Sequence, residues 1–243
     1  GTAVTSLTIP ASLTSCSTSS SGGPLAGADK LTDLTIESGM EKIPDYLAYC
    51  VANTSHITTV SIPNTVTSIG RSSFYNCRML PAVSLPANLQ TIGHEAFSSC
   101  RSLDKITLPK TVKTVGTSAF SNCTALSSLV FTENTKTGFT LSVNGSAFSN
   151  CTSLCDISFS NNITLLDSSA FYKCSSLTSL VLPDSITEIG SFAFSDCTAL
   201  KKITLPSGLK KLGAGFISGT AVTSLTIPAS LTSCSTSSSG GPL

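Results

Sequence analysis

The chain has 243 residues, a net charge of +1, 11% charged residues, 6% aromatics and no Trp. So small and scattered a charge excludes an electrostatic footprint for nucleic acid or an anionic membrane surface, and no apolar run approaches the ~20 residues that span a bilayer. The apolar fraction of 40% is too high for a disordered chain, and 44 Ser and 33 Thr fill much of the remainder.

In chain order, the sequence reads as a row of coils. Residues 1–25, GTAVTSLTIPASLTSCSTSSSGGPL, open it with a loose copy of a pattern that sharpens later. A second coil runs to Cys50. An insertion follows, in which residues 51–56 (VANTSH) replace the usual two-residue step to Ile57. Cys77, Cys100 and Cys123 are then spaced by 23 residues, and so are Cys151, Cys174 and Cys197. The step of 28 between the triplets marks a five-residue insertion. Nine full coils result, and a tenth opens at Gly219. Residues 219–243 repeat residues 1–25 letter for letter, at an offset of 218. The short repeats diverge freely while this long one does not. Residues 1–218 therefore read as one module, and 219–243 as the start of an identical next one, within a single continuous solenoid. The ends are expected to fall inside an array, since neither carries a polar capping repeat.

Within a coil the pattern is C-x-x-L-x-x-[IL]-x-L-P-x-x-[IV]-x-x-[IV]-G-x-x-A-F-x-x. The segment ending Ile106-Thr107-Leu108 alternates apolar and polar, as a short half-buried strand does. The following Pro (Pro63, Pro86, Pro109, Pro183, Pro206, Pro228) cannot donate to a ladder and stops it. One strand per coil predicts parallel stacking about 4.8 Å apart. The next apolar pair, Val112 and Val115, turns the chain back over the core. A column of Gly70, Gly93, Gly116, Asn144, Asp167, Gly190 and Gly213 reads as a tight turn at positive φ. The Ala-Phe pair after it, as in Ala119-Phe120, predicts a spine of stacked rings.

The cysteine column (Cys77, Cys100, Cys123, Cys151, Cys174, Cys197) lacks the paired spacing and His partners of a metal site. Parallel Cβ vectors fit a disulfide torsion poorly, and Gly1, Ala28 and Gly219 in the same column cannot bridge. A reduced, buried ladder of small hydrophobes is the expectation. Cys16 and Cys234 are read the same way. Cys155 falls in a column of Thr, Asp, Ser or Lys and is expected to be an exposed thiol.

These residues spell a repeat that resembles the 23-residue leucine-rich repeat of BspA-like surface proteins, across essentially the whole chain. The resemblance implies an α/β-type repeat solenoid, right-handed and curved, with a parallel sheet on its concave face. It also implies export to the cell surface, adhesion or structural display, and no enzymatic activity. It carries over no binding site.

The chain offers little chemistry. His56 and His94 are the only histidines and have no Cys or Asp at a catalytic spacing. Carboxylates fall in different columns, Gly22-Gly23 lacks a phosphate-loop pattern, and neither a catalytic residue, a cofactor nor a metal is expected. The outward strand columns would meet a partner. Lys105, Asp156 and Lys202 mark that face, which otherwise is mostly Ser and Thr, with Asp33, Ala82, Val130 and Val181 among them, and holds no Trp, Tyr or Arg. Sequons fall at Asn53, Asn122, Asn144, Asn150 and Asn162, with Asn53 and Asn162 expected to be the most accessible. O-glycosylation of Ser17 to Ser21 is equally open. The reading that joins these features is a non-enzymatic extracellular structural protein forming a surface filament or coat by self-assembly, with no nucleic-acid partner and no membrane span. Its alternative is an adhesin that takes a host or matrix protein, or a glycan, on the concave face.

Overall fold

A computed structural model describes residues 4–18, 22–51 and 55–235. The chain is a leucine-rich-repeat solenoid, and every coil crosses two faces of one core. The strands expected from the L-x-x-[IL]-x-L segment are β1 (Ser6–Ile9), β2 (Asp33–Ile36), β4 (Thr59–Ser61), β7 (Lys105–Leu108), β9 (Ser128–Phe131), β11 (Asp156–Ser158), β13 (Ser179–Val181) and β15 (Lys202–Thr204). A second ladder lies where the sequence suggested only a turn back over the core. It contains β3 (Lys42–Ile43), β5 (Ser68–Ile69), β6 (Thr91–Ile92), β8 (Thr114–Val115), β10 (Leu141–Val143), β12 (Ile163–Leu166), β14 (Glu188–Ile189), β16 (Lys211–Leu212) and β17 (Ser233–Cys234). All pairings between these strands are parallel.

This corrects two expectations. The described residues contain no helix, so the solenoid has two strand faces per coil instead of one strand and an α/β-type return. The ladder that runs unbroken is the second one, nine strands from β3 to β17, whereas the first divides into β1-β2-β4, β7-β9-β11 and β13-β15. At the first break, Pro81 stands just after Leu80, where Thr58, Asp104 and Ser127 each donate a backbone N–H to the preceding coil. Proline has no such proton. The strand there shrinks to a single bridge, Ala82 to Lys105.

The core is one continuous column. Phe74, Phe97, Phe120, Phe148, Phe171 and Phe194 stack with centroids 5.1–5.5 Å apart and planes within 14° of parallel. Fully burying each ring is worth roughly 2–3 kcal/mol. Because each ring is covered by the coils on either side, the stabilisation belongs to pairs of coils and not to single ones.

The glycine column has a different cause from the one expected. Its members do not adopt positive φ, nor do Asn144 and Asp167. A Cβ on Gly116 would lie 2.6 Å from the Gly93 carbonyl carbon, and one on Gly93 would lie 2.7 Å from that of Gly70. Close backbone approach between coils removes the side chain. The left-handed residues come later. Glu95 and Ser118 stand two after the glycine, and Ser99 and Asn122 stand just before the cysteine, with φ of 54–63°. Between them the chain forms a staircase. The amides of Glu95, Phe97 and Ser99 donate to the next coil, at Thr117, Ala119 and Ser121. Those of Ala96, Ser98 and Cys100 close turns within their own coil. Every amide of this segment is thereby spent without a helix.

The Ser/Thr excess has a structural use as well as a solvent-facing one. Two residues after the strand-ending Pro, Thr65, Thr111, Ser185 and Ser230 each donate a hydroxyl to a carbonyl of the preceding coil, at 2.6–2.9 Å. Asn88 does the same with its amide at 3.1 Å.

Candidate functional site

The six ladder cysteines are free and fully buried, and their thiols have partners. Cys100, Cys123, Cys151, Cys174 and Cys197 donate Sγ–H to the carbonyls of Phe74, Phe97, Phe120, Phe148 and Phe171 at 3.2–3.3 Å. Cys77 reaches the Ala48 carbonyl at 3.8 Å. Phe97 O also accepts the backbone N–H of Cys100, so its two lone pairs serve one donor from its own coil and one from the next. The sequence reading of the thiol as a small hydrophobe missed this donor role. The sequence carries no signal for it, since Cys serves equally as a small hydrophobe and as a weak donor. Burial pushes the Cys77 and Cys123 thiols up to about 12, and holds those of Cys100, Cys151 and Cys174 well above their ordinary value. Thiols held protonated and fully enclosed in this way are poor nucleophiles. Among the described residues no cluster of His, Cys, Asp and Glu is arranged for a metal ion.

Cys155 is exposed, with its Sγ 3.6 Å from Ser127 O. Cys16 is half-buried and Cys234 exposed, so neither fills a core position as the ladder cysteines do. Both lie in the one segment that occurs twice, and in each copy one side of the coil is open. Burial first, and Asp45 second, raises the Cys16 thiol.

Among the sequons, Asn53 lies outside the described residues. Asn162 is buried, contrary to expectation. The inserted segment folds over it. Asn162 Oδ1 accepts from the Asn134 backbone N–H at 2.6 Å, and its Nδ2 donates to Asn134 O at 2.8 Å. Asn144 is half-buried. Asn122 and Asn150 take left-handed φ and donate Nδ2 to Ser121 and Ser149 at 3.2 and 3.4 Å.

Lys105, Asp156 and Lys202 are exposed on the first face. The register Lys105↔Ser128↔Asp156 puts two of them on one sheet, with Ser128 donating to Asp156 Oδ2 at 3.2 Å. Lys202 pairs with Ser179 in another sheet, so the three do not form one cluster. The missing strand at residues 82–85 leaves a groove of about 570 Å3 beside Lys105. Val83, Leu85, Ala87 and Pro109 give it an apolar lining, and Lys105 and Lys110 supply two ammonium groups. Such an arrangement can bind; it offers no general base or nucleophile. His94 lies apart, its Nε2 3.5 Å from Glu95 Oε2 at the surface.

A second groove, of about 450 Å3, lies between β15 and residues 224–228. Its origin is a register slip. The bonds Asp196 N to Ser218 O and Thr220 N to Ile217 O put Gly219 in the left-handed column and Thr220 in the cysteine column, not Gly219 as the spacing suggested. Phe216 then takes the alanine position, and Ile217 the phenylalanine one. Thr220 to Pro228 is one residue shorter than Cys197 to Pro206. The strand residues 224–227 consequently do not pair with β15, while β17 still pairs with β16.

The profile of the family described as BspA type Leucine rich repeat region, in 6 copies, matches residues 47–140 and 138–238. No match is found among curated proteins. Among solved structures, a leucine-rich repeat protein from Eubacterium ventriosum ATCC 27560 is 20% identical with a TM-score of 0.59, covering 98% of this chain and 63% of that one. The pneumococcal vaccine antigen PcpA is 19% identical with a TM-score of 0.58, covering 97% and 63%. A leucine rich cell surface protein from Faecalibacterium prausnitzii A2-165 is 26% identical with a TM-score of 0.49, covering 83% and 61%. The chain thus spans less than two thirds of the length of each of these proteins.

Proposed function

Because the chain belongs to the BspA-type leucine-rich repeat family, we propose that it is a non-enzymatic extracellular structural protein, a tandem-array solenoid that builds a surface filament or coat. One observation carries the reading: residues 219–243 restate residues 1–25 without a single change at an offset of 218. Coils within the module tolerate wide substitution, so the same freedom would have blurred the longer repeat unless whole modules are used as interchangeable units. Residues 1–218 are then one module and 219–243 the start of the next. A neutral, hydroxyl-rich exterior suits lateral or end-to-end association of like surfaces, and carries no field to steer a charged partner. The surface location rests on the resemblance to BspA-like surface proteins.

The test is immunogold labelling of intact cells, followed by electron microscopy of material released from the surface. Continuous fibres or a coat bearing the label support the reading. Label confined to the cell interior, or released material of single compact particles, overturns it.

The groove beside Lys105 favours a second reading, an adhesin whose first face takes an acidic or glycan-bearing host or matrix protein. Isolated protein should then bind such a partner, and lose it on Lys105→Glu with Lys110→Glu. Binding that survives the double change removes this reading.

A further inference from the structure

The repeated segment is present twice in one structure, and its two copies are packed on opposite sides. In the first copy, residues 26–50 cover one side. Ile9 is only 4% exposed there, β1 pairs with β2 from Ser6↔Asp33 to Ile9↔Ile36, and the Ala11 amide donates to Glu37 Oε2 at 2.7 Å. Its other side is open, with Val4 at 62% exposure and Pro10 and Ser12 exposed. In the second copy the relation is reversed. Val222, Pro228 and Ser230, the equivalents of those three, are half-buried against the preceding coil. Ser230 donates to Ser207 O and Leu209 O, and Ser233↔Lys211 holds the second ladder. Here Ile227 is 44% exposed, and Ala229 and Cys234 are exposed.

Identical sequences present identical side chains, so each copy shows the half of the packing that the other lacks. We infer that residues 219–235 form a seat for residues 31–43 of a second copy of this chain, in the manner that residues 4–16 receive residues 31–43 here. The inference rests on the array reading and names its joint. In the joined coil Ser224 pairs with Asp33 of the second copy and Ile227 with its Ile36, while the Ala229 amide meets its Glu37 carboxylate. The apolar side chains left open at Ile227 and Leu225 are covered. The one-residue shortening between Thr220 and Pro228 stays on the opposite side of the seated coil, so the joint forms without disturbing the groove beside β15.

The test is a covalent two-copy chain, residues 1–243 followed directly by residues 26–243, measured by amide hydrogen exchange. The amides of Thr32 and Glu37 donate to Thr5 and Ile9 in the first copy. Their counterparts in the second copy can find those acceptors only at Thr223 and Ile227. Protection of the second-copy amides within about tenfold of the first is expected. Exchange at the rate of an unstructured chain, or independent unfolding of the two halves, overturns the inference. A pair of identical substitutions gives the sharper result. Ile227→Asp should speed exchange of the second-copy amides by about 100-fold and leave the first-copy ones unchanged, and Ile9→Asp should do the reverse. If Ile227→Asp leaves the second copy protected, the seat is not used. Fibres on the cell without this exchange pattern would retain the array reading and discard the joint; the pattern without fibres would do the opposite.

Discussion

Alkali should unfold this protein through its cysteines. Five ladder thiols, Cys77, Cys100, Cys123, Cys151 and Cys174, are buried and held protonated, two of them up to about 12, against an ordinary value of 9.0. A raised folded value means the stabilisation is complete below pH 9 and is lost as pH climbs toward 12, because only the unfolded chain releases these protons. Between pH 9 and pH 10 each thiol costs about 1 kcal/mol, so five cost about 5 kcal/mol, against a typical total stability of about 5–15 kcal/mol. Urea midpoints followed by circular dichroism at constant ionic strength should therefore fall steeply above pH 9. Comparison with Cys123→Ala/Cys151→Ala isolates the share of the ladder, because every other group is common to both proteins. That variant should be less stable at pH 7, because it loses two buried donors to Phe97 O and Phe120 O. Its decline between pH 9 and pH 10 should be shallower by about 2 kcal/mol. An equal slope in both proteins would refute the assignment of the alkaline loss to the ladder.

Phe120 stacks on rings on both sides, Phe97 and Phe148, each at 5.3 Å, whereas Phe194 stacks on Phe171 at 5.5 Å. Phe120→Leu should cost about 1–3 kcal/mol in stacking and Phe194→Leu about half that, read from denaturation midpoints; equal costs would argue against ring stacking as the source. Gly116→Ala drives a Cβ into the Gly93 backbone and should cost more than about 3 kcal/mol, while Gly138→Ala, at φ +76 with open space around it, should cost only about 1–2 kcal/mol. Mass spectrometry of protein made in a glycosylating host should find Asn162 unmodified, since both ends of its amide are bonded to Asn134; occupancy there would mean that the insertion does not fold over it.

The sequence made the solenoid legible because, from Cys77 to Cys197, two columns recur without change. The cysteine there is a small buried donor, and each phenylalanine ring from Phe74 to Phe194 stacks on the next. The second ladder was hidden for a physical reason: strands of two residues, such as Thr91–Ile92 and Thr114–Val115, are too short to show alternation. The glycines were placed correctly and explained wrongly, because a missing Cβ serves left-handed φ and close backbone contact alike, and spacing cannot separate the two. The slip at Thr220 escaped notice because Pro228 keeps its distance from the previous proline close to that of its neighbours, while the lost residue lies between unmarked positions. Asn162 looked accessible because it stands shortly after a strand, and the spacing of the five-residue insertion before it does not tell that the inserted segment folds over that position. For the face marked by Lys105, Asp156 and Lys202, the columns were right, but the proline at position 81 and a further break beyond Ser158 divide the surface into separate sheets.

Diffraction or image averaging of aligned native surface material tests the central claim most directly. A continuous array predicts axial order at about 4.8 Å from the stacked coils, with a module of nine coils recurring at about 43 Å along the sheet. Surface material without this axial order, or with the solenoids separated by gaps that break it at every module, would contradict the account.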